Sequence, residues 1–185
     1  TSDLPVTPSL LVSSVEASQD YLTDPSPLGS RLARRCWPGP LQLEKKVTPN
    51  TGSLVECLCG GALSLVQDTS GRIAFRVIAQ RVVEGIHRFL QGPLVFLDLV
   101  EPDGKPIHSA EHARIYLQDS VPLLLDDGPT RYGGRPTRVN VEKNLYQILH
   151  EGVIEEAAMN QFVKPVVVLV CTGNTCRSPM AETLL

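Results

Sequence analysis

A run of five apolar residues followed at once by a short polar loop is the feature that most constrains the fold. Val166–Val170 has the length and composition of a buried strand, and the loop after it begins at Cys171. Gly173 and Asn174 tolerate positive φ and therefore permit a tight turn. Pro179 is favoured in the first turn of a helix, where no N–H donor is needed. The sequence therefore predicts a strand, a loop and a helix N-terminus in that order.

The loop carries residues suited to binding and attacking a phosphate ester. A thiolate at Cys171 would face backbone N–H groups and the positive end of the helix dipole, which lower a cysteine pKa from about 8.5 to roughly 3.5–7.5. Arg177 follows Cys171 after five residues and can bind two phosphate oxygens, and the Ser178 hydroxyl can hydrogen-bond the thiolate. We predict that Cys171, Arg177 and Ser178 are catalytic. The loop residues between them are predicted to bind phosphate: Thr172, Gly173, Asn174, Thr175 and Cys176.

Before this segment, short apolar runs alternate with helical patterns. The alternation predicts an α/β (α+β) layered domain rather than a bundle or a sandwich. The predicted helices are Ser13–Thr23, Leu28–Cys36, Val82–Leu90, Ser109–Leu117 and Glu155–Gln161. The predicted strands are Leu41–Leu43, Ser53–Leu58, Leu63–Val66, Arg72–Val77, Leu94–Leu99 and Val121–Leu125, with a returning strand near Tyr146–Leu149.

Charge and cysteine usage narrow the function classes. The formal net charge is −3 with a pI near 5.8, which argues against a broad nucleic-acid-binding surface. Arginine clusters around Arg34 and Arg135 leave open either a local basic patch or a solvated face. Five unevenly spread cysteines do not form the framework of a secreted domain, and we expect no metal and no cofactor. No apolar run approaches the roughly 20 residues of a membrane span, so we expect a cytoplasmic protein with no membrane contact.

The terminal segment resembles the low-molecular-weight protein tyrosine phosphatases. Their signature has a cysteine, five residues and Arg-Ser, with Gly-Asn and a second cysteine inside and Pro-x-Ala-Glu after, as in the stretch that starts at Cys171. The resemblance implies a cysteinyl-phosphate mechanism with Cys171 as nucleophile, Arg177 as phosphate binder and Ser178 as the thiol-activating hydroxyl. It also implies that Asn174 holds the loop's shape and that Cys176 forms a reversible disulfide with the nucleophile.

The resemblance also implies a missing group. In these phosphatases the general acid, an Asp followed by Pro, lies far downstream of the loop, and here eight residues follow Arg177. Without a positioned acid the leaving phenolate gains no proton, a loss of about 10²–10⁴ in rate. We therefore expect this chain to be inactive as cut and its phosphate or phosphotyrosine-type ligand to bind weakly.

Five motifs precede this segment in a fixed order, at Trp37–Leu41, Arg72–Val77, Gly92–Val95, Asp126–Thr130 and Leu149–Ile154. They resemble elements of the YrdC family, the threonylcarbamoyl-adenylate synthases that prepare a tRNA modification. The resemblance implies a twisted mixed sheet with helices and a ligand pocket for a nucleotide or tRNA.

Several family elements differ in this chain. The N-terminal Pro-Thr-Asp-Thr-x-Tyr-Gly-Leu element and the following Lys-x-Arg are missing, and Ser-Ala-Asn is replaced near Leu97–Val100. The terminal Arg has become His150. Arg76 and Thr137 remain at matching positions, as a possible residual pocket.

We expect a YrdC-like domain over 1–155, truncated at its N-terminus, a linker over 156–164 and a phosphatase fragment over 165–185. The function expected from this arrangement is that of a two-domain protein with a degenerate YrdC-like domain and a phosphatase loop. The alternative is a non-catalytic RNA- or nucleotide-binding regulatory module.

Overall fold

The computed structural model describes residues 8–22, 26–47, 54–58, 61–173 and 177–184. The described strands are β1 (Ser9–Leu11), β2 (Leu41–Lys46), β3 (Arg72–Arg76), β4 (Leu94–Phe96), β5 (Thr137–Glu142) and β6 (Leu145–His150). The described helices are α1 (Val15–Ser18), α2 (Pro27–Cys36), α3 (Ala62–Val66), α4 (Arg81–His87), α5 (Ala110–Leu117), α6 (Glu156–Phe162) and α7 (Arg177–Leu184), with a 3-10 turn at Leu54–Cys57.

The six strands form one mixed sheet in the order β4-β1-β3-β2-β5-β6. The pairs β1–β3 and β2–β5 are parallel, and the other three are antiparallel. Side chains alternate between the two faces of a strand. One face, the helix-side face, is apolar and belongs to the buried core; its fully buried strand residues include Leu10, Leu41, Leu43, Ile73, Phe75 and Val139.

Helix α2 begins and packs as its sequence dictates. The Ser26 hydroxyl accepts a hydrogen bond from the backbone N–H of Gly29 at 3.0 Å, and Pro27 occupies the first turn. The buried residues Leu28, Leu32, Ala33 and Cys36 fall on one stripe. After the helix, the Trp37 indole N–H donates to the carbonyl oxygen of Leu41 at 2.8 Å, so the motif Trp37–Leu41 is a buried packing corner between α2 and β2.

Helix α6 is fixed to the same core. Met159 is fully buried, and Phe162 and Val163 pack against the core cluster. Two arginines one turn apart on α2 satisfy the carbonyl groups that the end of α6 leaves without intrahelical donors. Arg31 donates to the carbonyl oxygen of Val163 at 2.6 Å, and Arg35 donates to those of Phe162 and Lys164 at 2.6 and 2.8 Å.

The predicted fold class, a mixed sheet with helices, is confirmed, and so are most of the predicted elements. Two predicted strands are wrong. Leu63–Val66 lies in α3, because a short apolar run does not separate strand from helix by itself and Gly61 at φ +82° starts the helical turn. Val121–Leu125 is exposed and irregular, since Pro122 cannot donate to a ladder. Of Ser53–Leu58, the described part contains the 3-10 turn instead of a strand.

The strand predicted over 166–170 is also wrong in this structure. These residues form no strand, and Val166, Val168 and Val170 are 69%, 75% and 86% exposed. A parallel-type strand requires hydrogen-bonding neighbours on its flanks. None of the six described strands pairs with this run.

Thr137 closes the helix side of the fold. Its hydroxyl donates to the carbonyl oxygen of Ile154 at 2.7 Å and accepts from the N–H groups of Ile154 and Gly152 at 2.9 and 3.1 Å. The side chain is fully buried. At Gly152 a Cβ would collide with the backbone of Arg135 and Pro136, so only glycine fits where the chain passes β5.

We predict that Thr137→Val lowers the free energy of unfolding by about 1–3 kcal/mol, because two N–H groups and one carbonyl lose their buried partner. Thr183→Val is the matched control, since the Thr183 hydroxyl is exposed and bonds only its own helix. Urea denaturation monitored by circular dichroism measures both variants. Equal stability of Thr137→Val and the wild type would contradict the assignment.

Candidate functional site

The second face of the sheet, here the polar face, is buried at its centre although most of its side chains there are polar. One cross-strand row runs over all six strands. In sheet order it consists of Phe96, Ser9, Ala74, Glu44, Asn140 and Gln147. Ser9, Glu44 and Asn140 are no more than 6% exposed. Buried polar side chains usually have hydrogen-bond partners, so a buried polar row indicates either a built network or a ligand site.

Arg76 forms the central ion pair of the polar face. Its guanidinium donates to Asp98 Oδ1 at 2.8 Å, and the two side chains are only 10% and 17% exposed. The guanidinium also lies over the ring of Phe96, 5.3 Å from the centroid, in cation–π geometry. Arg76 ends β3 and Asp98 follows β4, with β1 between the two strands. Arg76, the cation of the predicted residual pocket, therefore already has a carboxylate partner.

A second ion pair lies on the same face. Arg138 Nε donates to Glu44 Oε1, and the Glu44 side chain is 1% exposed. Arg138 is also opposite His150 in the antiparallel register of β5 and β6. Desolvation, followed by the charges of Arg135 and Arg138, lowers the pKa of His150 below its ordinary value, so the imidazole is neutral at neutral pH.

Five polar atoms of this face are buried without a hydrogen-bond partner among the described residues. They are Ser9 Oγ, Glu44 Oε2, Arg72 Nε, Arg76 Nε and Asn140 Oδ1. An unsatisfied buried polar atom costs about 1–3 kcal/mol, so a cluster of them suits groups that a ligand would complete. The donors are guanidinium N–H groups and a hydroxyl, and the acceptors are a carboxylate and an amide oxygen.

The structure separates the two residues of the predicted residual pocket. Arg76 lies on the polar face, whereas Thr137 pairs with Leu41 on the helix-side face and uses its hydroxyl to bind Gly152 and Ile154. These two side chains therefore do not line one pocket here. Asp98 neutralises Arg76, but it was noted from the sequence only within the segment that replaces Ser-Ala-Asn. An acidic residue just after an apolar strand was the available indication of this ion pair.

The terminal loop is described in part. Cys171 is half-buried, Thr172 and Gly173 are exposed, and Asn174, Thr175 and Cys176 lie outside the described residues. The predicted helix is present as α7, which begins at Arg177 with an exposed side chain. Ser178 is 6% exposed, and its hydroxyl has no partner in the described part of the chain.

His108 and His112 have local partners. His112 Nε2 lies 2.8 Å from Glu101 Oε1, and His108 Nδ1 lies 3.3 Å from the hydroxyl of Thr130. Within the described ranges, no three His, Cys, Asp or Glu side chains come close enough to hold a metal ion. No helix in that part of the chain is both long and apolar enough to cross a membrane.

Two family models match the chain, on either side of residue 160. The model for Sua5, YciO and YrdC proteins, described as telomere recombination, matches residues 7–152. The model for low molecular weight phosphotyrosine protein phosphatase matches residues 166–185. No curated protein matches the chain significantly.

Solved structures show the same fold. A variant of P. abyssi Sua5 superposes with a TM-score of 0.65 at 20% identity, covering 87% of this chain and 45% of that protein. E. coli YciO gives 0.62 at 17% identity, with 80% and 66% covered. P. abyssi Sua5 complexed with L-threonine gives 0.62 at 20% identity, with 88% and 44% covered.

This chain thus spans less than half of the Sua5 structures and 66% of the YciO structure that it matches. The family model nonetheless covers most of its length, over residues 7–152. The chain belongs to the Sua5/YciO/YrdC family.

Proposed function

We propose that this chain joins a YrdC-like module that has lost adenylate-forming chemistry to the catalytic phosphate loop of a low-molecular-weight phosphatase. In this proposal residues 1–155 are the module, 156–164 connect it, and 165–185 begin the phosphatase. The observation that carries the loss of chemistry is the buried ion pair of Arg76 and Asp98.

Chemistry on a triphosphate requires cationic groups that face the phosphates. Three candidate cations of the polar face are already neutralised or uncharged. Arg76 is paired with Asp98, Arg138 is paired with Glu44, and His150 has a lowered pKa. A phosphate brought to Arg76 would meet the Asp98 carboxylate at the same place, and like charges at short range repel. The module therefore binds nucleotides weakly and acts without catalysis, as a binding or regulatory module.

The connection to the phosphatase is itself ordered in this proposal. Helix α6 buries Met159 and is held at its end by Arg31 and Arg35. The connecting residues up to Lys164 are thus packed and hydrogen-bonded against the module.

We predict that Asp98→Ser raises the affinity for ATP at least about tenfold, equivalent to about 1.4 kcal/mol, because Arg76 regains a free guanidinium. Serine is the residue that Ser-Ala-Asn of the family begins with. L-threonine, the ligand in the P. abyssi Sua5 structure, is titrated in parallel because its carboxylate is also an anion. Isothermal titration calorimetry measures both, with circular dichroism to verify folding.

Asp103→Ser is the matched control, since Asp103 is an exposed carboxylate paired with Lys105. It should leave the affinities unchanged. A folded Asp98→Ser protein with wild-type affinity would contradict the role of Asp98. Formation of threonylcarbamoyl-adenylate by the wild-type chain would contradict the loss of chemistry.

Phosphatase chemistry is the second part of the proposal, and the order Cys171, five residues, Arg177 and Ser178 favours it. The half-buried thiol lies just before a helix whose first turn contains Ser178 with an unpaired, buried hydroxyl. The thiolate would attack phosphorus, the ester P–O bond would break, and water would then hydrolyse the cysteinyl phosphate. The leaving phenolate would take its proton from the general acid of a complete phosphatase domain.

We predict that a protein carrying this chain together with a complete phosphatase domain hydrolyses p-nitrophenyl phosphate, and that Cys171→Ser abolishes the activity because the oxygen is a far weaker nucleophile. Cys36→Ala is the control, since burial raises the pKa of the Cys36 thiol to about 11 and keeps it protonated. It should retain activity. Turnover that survives Cys171→Ser would exclude Cys171 as the nucleophile.

A further inference from the structure

A cavity of about 540 Å³ lies where β2 and β5 end, and residues of both sheet faces line it. It opens between α1, the start of α2 and the ends of β2 and β5. Its volume falls within the range of about 300–1,000 Å³ that is usual for small-molecule sites. Neither the family motifs nor the phosphate loop contributes to it, because its lining residues come from positions 15–46 and 141–144.

The interior of the cavity is apolar. Leu22, Ala33 and Leu43 are buried, and Val15 and Val141 pack against the core cluster at its edge. All five line the cavity. The polar groups inside are already used locally, since the Ser18 hydroxyl donates to the carbonyl oxygen of Val15 and the Ser26 hydroxyl accepts from Gly29. The floor therefore offers apolar contact and few hydrogen bonds.

The rim of the cavity is basic. Its cationic residues are Arg34, Lys45, Lys46 and Lys143. Two carboxylates also line it: Glu44 is bound by Arg138, whereas Glu142 accepts from the neutral amide of Asn140 at 3.3 Å and keeps its charge, so the cations of the rim outnumber its carboxylates.

Lys46 and Lys143 are exposed and form no ion pair with another described residue. They lie at the same end of two neighbouring inner strands, because β2 and β5 run parallel and end at Lys46 and Glu142. Lys143 holds a left-handed conformation, φ +55°, in the β5–β6 turn, so that the turn fixes its position at the rim.

We propose that this cavity binds a small amphipathic organic anion, with an aliphatic chain in the apolar interior and a carboxylate between Lys46 and Lys143. The aliphatic chain supplies the affinity, because its apolar surface leaves water when it enters the interior. The two ammonium groups supply the preference for an anion over a cation or a neutral head. Neither Arg76 nor Asp98 lines the site, so it is independent of the proposed loss of nucleotide chemistry.

Decanoate, decanol and decylamine are the probes, titrated by calorimetry into the chain as it stands. We expect decanoate to bind at least about tenfold more tightly than decylamine, with decanol between them. The double variant Lys46→Glu/Lys143→Glu should abolish the preference for decanoate and leave decanol binding unchanged. Arg81→Glu/Arg114→Glu is the matched control, since it makes the same charge change at exposed sites outside the cavity.

Ala33→Leu tests where the aliphatic chain of the probe lies, because a larger side chain would fill the buried interior. It should weaken the binding of all three probes by a similar factor while the protein keeps its circular dichroism spectrum. Equal binding of decanoate and decylamine to the wild type would overturn the proposal. So would decanoate binding that the Lys46/Lys143 variant and the Arg81/Arg114 control reduce equally, which would show only an effect of net charge. An absence of any decanoate binding would also overturn it.

Discussion

A guanidinium and a carboxylate buried together on one face of a sheet shape the rest of this molecule. Arg76 and Asp98 lie 2.8 Å apart, with the Phe96 ring beneath the guanidinium. Removing either charge alone would leave the other buried and unpaired, which is far costlier than losing the pair. The pair therefore lets a polar sheet face be buried, and it also occupies the cation that an anionic ligand would need. The same contact thus links the stability of the fold to its function.

Much of the fold could be predicted from local patterns. Helix α2 carries its own N-cap, its proline and its apolar stripe, and α5 and α6 likewise begin near their predicted residues. The errors fall where tertiary pairing decides. Leu63–Val66 and Val121–Leu125 are apolar runs without a strand partner. Strand β1, which lies between β4 and β3, was not predicted because a run of three residues has no period to detect.

The site was predictable in residue identity more than in arrangement. Arg76 was singled out from a family motif, but its partner depends on how β3, β1 and β4 are ordered, which adjacent sequence does not encode. Thr137 was grouped with it through the family motif, whereas strand parity turns it to the other face. The Cys171–Ser178 motif is recognisable in the sequence. The structure describes the helix that begins at Arg177, whereas residues 166–170 before the motif form no strand.

A double-mutant cycle on Arg76 and Asp98 tests the central claim most directly. Arg76→Met, Asp98→Leu and the double variant are compared with the wild type by urea denaturation. Each single change should cost about 3 kcal/mol, because it strands a buried charge, and the double variant should cost clearly less than the sum, with a coupling of about 2 kcal/mol. Additive losses, within about 0.5 kcal/mol, would mean that the two side chains do not depend on each other and that Asp98 does not occupy the anion position of Arg76.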